Sequence, residues 1–600
     1  MWQQQQQQQQ LTRELTAQLE AEPIRNNTEL LTFKVRSRDI DWRRYVQPLD
    51  TEVRAPAVYL DKQTDFVSAH RRQPNASNRR ELLVCHDMMG NYLADKHFQS
   101  SEKYDDYRFV HWSAVDYFCY FSHSYVTIPP SGWINAAHRH GVPVLGTYIV
   151  EGDTLLNEVL ASPDSVERAV AALTRLCLHF QFEGWLVNVE CAVRPTAMNN
   201  LYLFVEKLRL ATETQVPHGR VFWYDSVIDS GQLNWQNELN ERNVQFFRRS
   251  HAMLINYSWN DRSLETSAAV MEEEQAAGQR LFMGLDVFGR GQLAKFQSAQ
   301  TLSRIARRGF SAGIFAPGWC FETLSRFGYN IHNTQGDESV NAAFLARNER
   351  WWSRLWPWLG THAYRKLPFY TDFCVGSGRS SYQCGARSDE RGFFNLARQA
   401  LQPSVPLDGN AEHSFDVAFA GGCALRMLNY ERAFRLFLTQ FELPLGVLLL
   451  GYAHKLEDHA MDIVLRCSVP GKQAQDLYLF CGAYAAPILT PGLCYMPPLA
   501  TATLAPQLQH VQLAGQLTDN WQVRYYLIRF DGPVQLLDIG VKCRRPAESS
   551  ASSYLGAIYV QRLQLTDWQA AAATMGKVEL PAYQTQLWNA APAPQAAAAE

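Results

Sequence analysis

Asn188 and Glu190 are the two residues of this sequence whose types and spacing best suit chemistry. They close the stretch FEGWLVNVE, residues 182–190, whose pattern predicts a buried β-strand. Side chains two apart in a strand point to the same face, so the amide and the carboxylate share one side. A carboxylate at the end of an apolar strand costs free energy unless a partner or a reaction uses it. The pair is therefore the first candidate for a catalytic site.

Substrate-assisted glycoside hydrolysis is the chemistry that this pair suits. Most glycoside hydrolases use two carboxylates, but the residue two before Glu190 is a neutral amide, which cannot form a glycosyl-enzyme. Asn188 could instead hold the 2-acetamido group of an N-acetylglucosamine ring, whose oxygen would attack the anomeric carbon and give an oxazoline-type intermediate. Glu190 would act first as general acid and then as general base. A partly dry, aromatic setting would raise the pKa of Glu190 as both roles require.

Two aromatic residues further along the chain could complete such a site. Tyr224 ends the next predicted strand, where its hydroxyl could hydrogen-bond the developing intermediate. Trp235, in GQLNWQN, lies on the following loop and could form a wall against which a sugar ring stacks. Taken singly, each of these residues is more often structural than catalytic. The elements that would bring them together therefore decide the interpretation.

A (β/α)8 barrel is the fold that the central part of the sequence predicts. Eight β-branched or aromatic runs occur at 82–87, 115–122, 142–150, 185–190, 221–226, 253–259, 281–288 and 314–319. Helical periodicity is clearest between them at 165–180, 196–212, 237–249, 264–277 and 296–308, and a closing helix is expected over 340–356. This rhythm fits the roughly 250 residues of a typical barrel. A doubly wound sheet is the rival, but MMGNYL after the first run is not a phosphate-binding turn.

Barrel enzymes carry their chemistry at the C-terminal ends of the strands. Those ends are polar and aromatic in this sequence, which indicates a sugar-binding cleft. Besides Trp235, the residues that we expect to bind substrate there are His123, Trp259, Asp286 and Trp319.

The pattern changes from about residue 368. Helical periodicity gives way to short alternating runs with Gly, Pro and Asp turns, which predicts one or two antiparallel β-sandwich domains. The expected division is a disordered Gln-rich tail (1–25), the barrel catalytic domain (26–360), a β-sandwich (361–490), a second sandwich-like domain (491–588) and a disordered tail (589–600). The β domains could bind glycans or serve as a scaffold for the barrel.

Composition narrows the class of protein. A formal net charge of −3 does not indicate the strongly basic surface with which proteins bind nucleic acid or an anionic membrane. The 12 cysteines lack metal-ligand spacing and are expected to be free thiols in a reducing compartment. No signal-peptide pattern and no membrane-spanning apolar run is present. We expect a soluble cytosolic protein without metal or cofactor; the sequence does not indicate its oligomeric state.

Several motifs occur in the order in which a known family carries them. They are VCHDMMGNYLAD (84–95), YFSHSYVTIPP (120–130), FEGWLVNVE, FWYDS (222–226), GQLNWQN (231–237), GLDVFGRG (284–291) and, more loosely, FDVAFAGG (415–422). Together they resemble the endo-β-N-acetylglucosaminidases of glycoside hydrolase family 85, and the first two resemble its cytosolic animal members in particular. The resemblance implies metal-free hydrolysis, with retention, of the β-1,4 bond between the two core N-acetylglucosamines of N-linked oligosaccharides. Its substrates would be high-mannose glycans, free or on unfolded glycoproteins.

The resemblance also assigns roles to individual residues. Glu190 falls on the acid/base of the family, Asn188 on its acetamido-orienting amide, Tyr224 on its supporting tyrosine and Trp235 on its gating tryptophan. One departure is Glu183, where the family usually has Asp. Two other interpretations stay open: an inactive, lectin-like barrel, and a chitinase-like hydrolase, which would need Asp at position 188.

Overall fold

Residues 82–315 form a closed ring of parallel strands in this computed structural model of the chain. The structure describes residues 21–32, 41–60, 71–72, 80–97, 101–274, 280–332, 338–444, 447–457, 459–468, 476–490, 492–499, 517–530, 532–545 and 549–563.

The ring has eight strands: β1 (Leu82–His86), β2 (Tyr117–Tyr120), β3 (Val144–Val150), β4 (Gly184–Val189), β5 (Arg220–Tyr224), β6 (Ala252–Ile255), β7 (Arg280–Asp286) and β8 (Ser311–Phe315). Each pairs with the next in parallel, and β8 closes the ring on β1 with Ala312 opposite Leu82. A short strand, Val126–Thr127, adds to β3 in antiparallel fashion. The predicted (β/α)8 barrel is confirmed, and β4 is the strand that ends at the Asn188–Glu190 pair.

Helices connect the strands on the outside of the ring. They are Ser131–Arg139, Asp153–Val159, Pro163–Phe180, Met198–Gln215, Val244–Arg249, Asp261–Glu273, Ser298–Arg307, Trp319–Glu322 and the closing helix Glu338–Leu355. The long helix Pro163–Phe180 shows why such segments form: Ser162 and Ser165 cap each other reciprocally, proline occupies the first turn, and Gln181 ends the helix with a left-handed φ of 62°.

One predicted helix begins later than expected. The periodicity at 237–249 becomes helical only at Val244, because the residues before it form a loop tied to Asp225. The consequence is functional, since this loop carries Trp235.

Two six-stranded sheets follow the barrel. The first has the order Ala411–Ser414, Ala424–Met427, Tyr554–Arg562, Val447–Lys455, Gln522–Arg529, with Phe369–Thr371 also beside Tyr554–Arg562. The second has the order Phe434–Leu443, Val534–Arg544, Ala460–Ser468, Asp476–Cys481, Leu493–Met496, Ile488–Thr490. Pairing is antiparallel except between Asp476–Cys481 and Leu493–Met496. One apolar core containing Leu450, Leu465 and Leu536 fills the space between the sheets.

The expected division at residue 490 does not fall between these sheets. Val534–Arg544 lies between two strands from before residue 490, and Val447–Lys455 lies between two strands from after it. The described strands of 361–490 and 491–563 therefore form a single sandwich. Strand pairing joins segments far apart in the chain, which a local change of pattern does not reveal.

Three two-stranded ribbons complete the described strands. They pair Tyr59–Leu60 with Arg71–Arg72, Ser377–Gly378 with Phe393–Phe394, and Ser381–Gln383 with Ala386–Asp389.

The disordered N-terminal tail predicted for residues 1–25 includes residues that pack on the barrel. Ala21 and Ile24 are buried, and Ile24 exchanges backbone hydrogen bonds with Val126 before the helix Asn27–Thr32 begins. Residues 21–32 are therefore packed on the barrel. Residues 1–20 and the other expected tail, 589–600, lie outside the described residues.

Three features bear on cellular setting and cofactors. All 12 cysteines are free thiols. Within the described part of the chain, no helix is long and apolar enough to cross a membrane. In that same part, no group of three or more His, Cys, Asp or Glu side chains is arranged to hold a metal ion.

Candidate active site

A cavity of about 160 Å³ opens at the C-terminal ends of the barrel strands. Asn188, Glu190, Tyr224 and His123, all predicted from the sequence, line it. Larger cavities of about 230 and 320 Å³ lie where the barrel meets the sandwich, away from these residues. The Asn188–Glu190 pair therefore stands in the smaller cavity, at the end of the barrel where the fold places chemistry.

Asn188 presents an unpaired acceptor to this cavity. Its side chain is only 5% exposed, and among the described residues its Oδ1 atom has no hydrogen-bond partner. A buried acceptor without a donor costs about 1–3 kcal/mol. An N–H group supplied by a bound molecule would remove that cost.

Glu190 is half-buried beside Asn188. The backbone N–H of Glu190 donates to the Val150 carbonyl at 2.7 Å, which holds the end of β4 against β3. Burial, and next the charge of Glu151, raise the pKa of the Glu190 carboxyl. Interactions with Trp235 and Asn188 act in the opposite direction. Since the net shift is upward, the carboxyl is better suited to hold a proton near neutral pH than an exposed glutamate.

His123 is exposed at the mouth of the cavity, where its Nδ1 lies 2.9 Å from Oε1 of Glu151. The two side chains thus form a pair near the Glu190 carboxyl. Both side chains act on the pKa of Glu190: Glu151 raises it and His123 lowers it.

Tyr224 ends β5, and its hydroxyl donates to Oδ1 of Asn256 at 2.9 Å. Asn256 in turn donates from Nδ2 to Oδ1 of Asn237, also at 2.9 Å. Burial raises the pKa of Tyr224 well above its ordinary value, and Tyr257 and Glu190 add to the rise. The phenol therefore stays neutral and is held in one orientation.

Asp225 anchors the loop that carries Trp235. Its Oδ2 accepts the N–H of Asn237 at 2.7 Å, and its Oδ1 accepts the side-chain amide of Asn243 at 3.0 Å. Burial raises the pKa of Asp225 to about 6. Trp235 is 40% exposed but interacts with Glu190, so the loop brings an indole to this carboxyl.

Gly231 fixes the start of the same loop. It has a φ of +83°, and a Cβ at this position would lie 2.2 Å from the carbonyl oxygen of Val193. Val193 donates its N–H to the Gly231 carbonyl at 2.7 Å. The loops after β4 and β5 are thereby joined through a contact that only glycine permits.

Asp286 does not line the cavity. Its carboxylate is fully buried and accepts from Nε of Arg290 at 2.7 Å and from the backbone N–H groups of Phe288 and Arg290, each at 3.1 Å. Arg290 itself reaches the cavity, where its guanidinium lies 5.9 Å from the centre of the Tyr257 ring. Asp286 therefore acts on the site by positioning Arg290.

Trp259 and Trp319 also lie outside the cavity lining. Trp259 is 2% exposed and donates its indole N–H to the Gly284 carbonyl at 2.7 Å, so its ring faces the back of β7. Trp319 is half-buried, with the guanidinium of Arg347 4.0 Å from its ring centre. The positions of these tryptophans do not support the expected stacking against a sugar.

Three polar residues of the lining, Asp87, Tyr257 and Arg290, were not among the site residues selected from the sequence, although all three stand at the strand ends that predict the cleft. Burial is the largest influence on Asp87 and raises its pKa, while the N–H of Gly90 opposes the shift. Each residue follows the end of a barrel strand by one to four positions, and that position is the signal that could have identified them.

Glu183 is remote from this cavity. It precedes β4, at the opposite end of the strand from Glu190, and accepts the backbone N–H of Val144 at 2.7 Å. Its other contact is with Nε2 of His138 at 3.0 Å. Both contacts are to Oε2 of Glu183, which gives the carboxylate structural partners.

A closed (β/α)8 barrel with a carboxylic acid and an amide together at the end of β4 defines a barrel protein of the class that carries its chemistry at the strand ends. Comparison with known proteins agrees, since the model of glycosyl hydrolase family 85 matches residues 90–381. Over 499 residues the chain is 32% identical to cytosolic endo-beta-N-acetylglucosaminidase 1 of Arabidopsis thaliana, covering 78% of this chain and 67% of that protein. The chain belongs to glycosyl hydrolase family 85, as its motifs predicted.

Animal relatives match a shorter segment more closely. The cytosolic endo-beta-N-acetylglucosaminidase of Gallus gallus is 41% identical over 347 residues, and that of Homo sapiens 39% over 341. Each alignment covers 56% of this chain but only 45% and 44% of the respective relative, so the match spans less than half of their length.

A solved structure shares the fold. The glycoside hydrolase domain of Endo-D from Streptococcus pneumoniae aligns with a TM-score of 0.64 and 16% identity, covering 90% of this chain and 83% of that one. At 16% identity the similarity of the two structures supports only the shared fold, a barrel followed by β-sheets.

Proposed function

We propose that the protein is a retaining endoglycosidase that cleaves the GlcNAcβ1-4GlcNAc core bond of N-linked, high-mannose oligosaccharides by substrate-assisted catalysis. The observation that carries the proposal is the unpaired Oδ1 of Asn188 beside Glu190, whose pKa burial raises. An acetamido N–H is a donor of the kind that this oxygen lacks, and a protonated carboxyl is what a leaving sugar oxygen needs.

The first step uses both residues. Asn188 accepts the N–H of the 2-acetamido group and turns its carbonyl oxygen toward the anomeric carbon. That oxygen forms a bond to the carbon as the glycosidic bond breaks, and Glu190 gives its proton to the departing oxygen. The product of this step is an oxazoline-type intermediate together with the released reducing-end portion.

The second step returns the site to its starting state. Glu190, now ionised, takes a proton from a water molecule that attacks the anomeric carbon and reopens the ring. Two displacements at one carbon retain the configuration. Tyr224, whose hydroxyl donates to Asn256, lies at the same cavity and supports the site as a neutral phenol, while Trp235 forms a wall beside Glu190.

The setting proposed is the cytosol, with glycans free or on glycoproteins as substrates. The curated relatives are named cytosolic endo-beta-N-acetylglucosaminidases, and all 12 cysteines of this chain are free. Thiols of this kind persist in a reducing compartment. No metal, cofactor, nucleic acid or membrane enters the proposed reaction.

Product analysis on a defined high-mannose glycan tests the proposal. The wild type is expected to release a fragment ending in one N-acetylglucosamine, and Glu190→Gln to lose this activity while unfolding at an unchanged temperature. Asn188→Ala should fail on the natural glycan but turn over a preformed oxazoline donor, since the step that needs the amide is bypassed.

Other outcomes would overturn the assignment. Near-wild-type turnover by Glu190→Gln would show that Glu190 is not the general acid. Tight glycan binding without product over long incubation would indicate a lectin-like barrel, and efficient digestion of plain chito-oligosaccharides would indicate a chitinase-like enzyme.

A further inference from the structure

Exposed apolar side chains are concentrated at the end of the barrel that holds Glu190. Ten large apolar side chains are exposed in the described part of the chain. Five of them lie in segments that leave the barrel strands at their C-terminal ends: Met89, Trp235, Leu293, Phe296 and Phe327. Single exposed apolar residues are normal on a protein surface, whereas a contiguous group of them marks a binding surface.

Phe296 stands next to the wall of the cavity. Its ring atom Cδ1 lies 3.2 Å from the position that a Cβ would take at Gly289. Gly289 directly precedes Arg290, whose side chain lines the cavity. The Phe296 side chain is 58% exposed, so the surface beside this wall is apolar.

Trp319 and Phe327 continue this surface. The ring centres of Phe296 and Trp319 lie 6.2 Å apart. The guanidinium of Arg347 lies 4.0 Å from the ring centre of Trp319 and 5.3 Å from that of Phe327. Phe327 itself is 68% exposed. These three rings, with Arg347 between the last two, form a surface that we call the aromatic rim.

The composition of the aromatic rim is that of a protein-binding surface. Aromatic side chains, methionine and arginine are enriched where proteins contact each other. Besides its rings and Arg347, the rim has Met89 close by, whose N–H donates at 3.0 Å to Glu322 in the same short helix as Trp319. Arg347 covers one face of the Trp319 indole, which disfavours stacking of a sugar there.

The proposed reaction brings a polypeptide to this place. Cleavage between the two core N-acetylglucosamines leaves one sugar on the asparagine of a glycoprotein. The polypeptide therefore begins one sugar beyond the bond that Glu190 cleaves, at the mouth of the cavity. Folded proteins bury most of their large apolar side chains, while unfolded segments expose them.

We propose that the aromatic rim binds apolar side chains of the unfolded polypeptide that carries the glycan. This inference rests on the proposed function, since the rim becomes a second contact with the same substrate. Partial burial of the two phenylalanine rings strengthens binding of an unfolded glycoprotein. The free glycan has no polypeptide and gains nothing from the rim.

Steady-state kinetics on a glycoprotein with reduced and alkylated cysteines, and on its free glycan with both core N-acetylglucosamines, tests the rim. The double variant Phe296→Ser/Phe327→Ser is expected to raise KM for the unfolded glycoprotein at least about tenfold. Its kcat/KM for the free glycan should stay within about twofold of the wild type. Leu210→Ser, which removes an exposed apolar side chain from an outer helix, is the control and should change neither value.

A binding measurement without turnover separates the rim from the proposed function. The same polypeptide, deglycosylated beforehand, reduced, alkylated and labelled with a fluorophore, should bind to the wild type and to Glu190→Gln equally. The double variant should bind it at least about tenfold more weakly. A protein that binds this polypeptide through the rim but cleaves no glycan would refute the proposed function alone.

Three results would contradict the rim as a polypeptide-binding surface. They are an unchanged KM of the double variant for the unfolded glycoprotein, an equal loss on the free glycan, and no binding of the deglycosylated polypeptide by the wild type. An equal loss on the free glycan would make the rings a sugar-binding surface instead. If thermal unfolding shows that the double variant does not fold, Phe327→Ser alone replaces it, with an expected rise in KM of at least about threefold.

Discussion

Glu190 owes part of its raised pKa to a neighbour on the loop after β3. Burial is the largest cause, and the charge of Glu151 is the next. A general acid is active only while protonated, so its activity falls as the pH rises through its pKa. The pH range of the reaction is therefore set partly by a residue that does not touch the substrate in the proposed mechanism.

Glu151→Gln is expected to lower the pKa of Glu190, because it removes a repelling charge. The alkaline limb of the kcat/KM profile should then move to lower pH, with little change at the acidic optimum. Glu167→Gln, an exposed substitution on an outer helix, serves as control and should leave the limb in place. An unmoved limb in Glu151→Gln would show that the charge of Glu151 does not contribute to this pKa.

Asn237 connects the loop that carries Trp235 to Tyr224. Its Oδ1 accepts from Asn256, which holds the Tyr224 hydroxyl, while its backbone N–H is bound by Asp225. Its φ of 56° is one that glycine adopts freely. Asn237→Gly therefore removes the side-chain link and spares the backbone anchor.

For Asn237→Gly we expect kcat to fall about tenfold, with a smaller change in KM and in the unfolding temperature, because Tyr224 loses its fixed orientation. Steady-state kinetics and thermal unfolding measure the two effects. If the variant loses stability but keeps kcat, the residue is only a loop anchor.

At the scale of elements, the loop between β5 and the next helix determines whether Trp235 reaches Glu190. Gly231 is the tightest point of this loop, with Val193 in the way of any side chain. Gly309 offers a matched comparison, since its φ of +82° is nearly the same and nothing lies within 4 Å of its ideal Cβ.

Gly309→Ala is expected to cost about 1–2 kcal/mol of unfolding free energy, the strain of a left-handed alanine. Gly231→Ala should cost about 2 kcal/mol more, because the clash with Val193 adds to that strain. It should also raise KM, as the Trp235 loop shifts. Denaturant unfolding of both variants checks the difference, and equal losses would mean that the loop yields without cost.

These elements show most clearly which parts of the fold and of the site can be predicted from the sequence. Period-two alternation and counting of strands were enough to place Asn188, Glu190 and Tyr224 at one end of a barrel. They could not show that Trp259 turns behind β7, since a position after a strand does not fix the direction of the side chain. Nor could periodicity show that 237–243 stays a loop, because buried Asp225 binds its backbone.

At the scale of the whole molecule, the barrel and the sandwich share buried polar contacts. Gln399, fully buried, accepts from the Trp112 indole at 2.6 Å and donates to the Phe109 carbonyl at 2.9 Å. Glu349, on the closing helix of the barrel, accepts the N–H of Leu407 at 2.8 Å. The two parts are thereby joined through groups that are costly to separate.

Burial raises the pKa of Glu349 to about 7 from an ordinary 4.5. A pKa raised by folding gives stability that is fully present below about pH 4.5 and is lost as the pH rises through about 7. Glu349→Gln should remove this dependence and narrow the stability difference between pH 5 and 8 by on the order of 1–3 kcal/mol. Calorimetry at both pH values measures it, with Glu265→Gln, an exposed substitution, as control.

The strand order of the first sheet governs how the protein is made. Tyr554–Arg562 sits between Ala424–Met427 and Val447–Lys455 and also binds Phe369–Thr371. The ribosome delivers these partners long before it delivers the strand that joins them. During translation the barrel strands are complete at residue 315, while the apolar faces beyond it wait for some 240 more residues. Chaperones that cover nascent β-strands therefore have their longest task on this half of the chain, and a stop codon before residue 554 would leave the first sheet without its central strand.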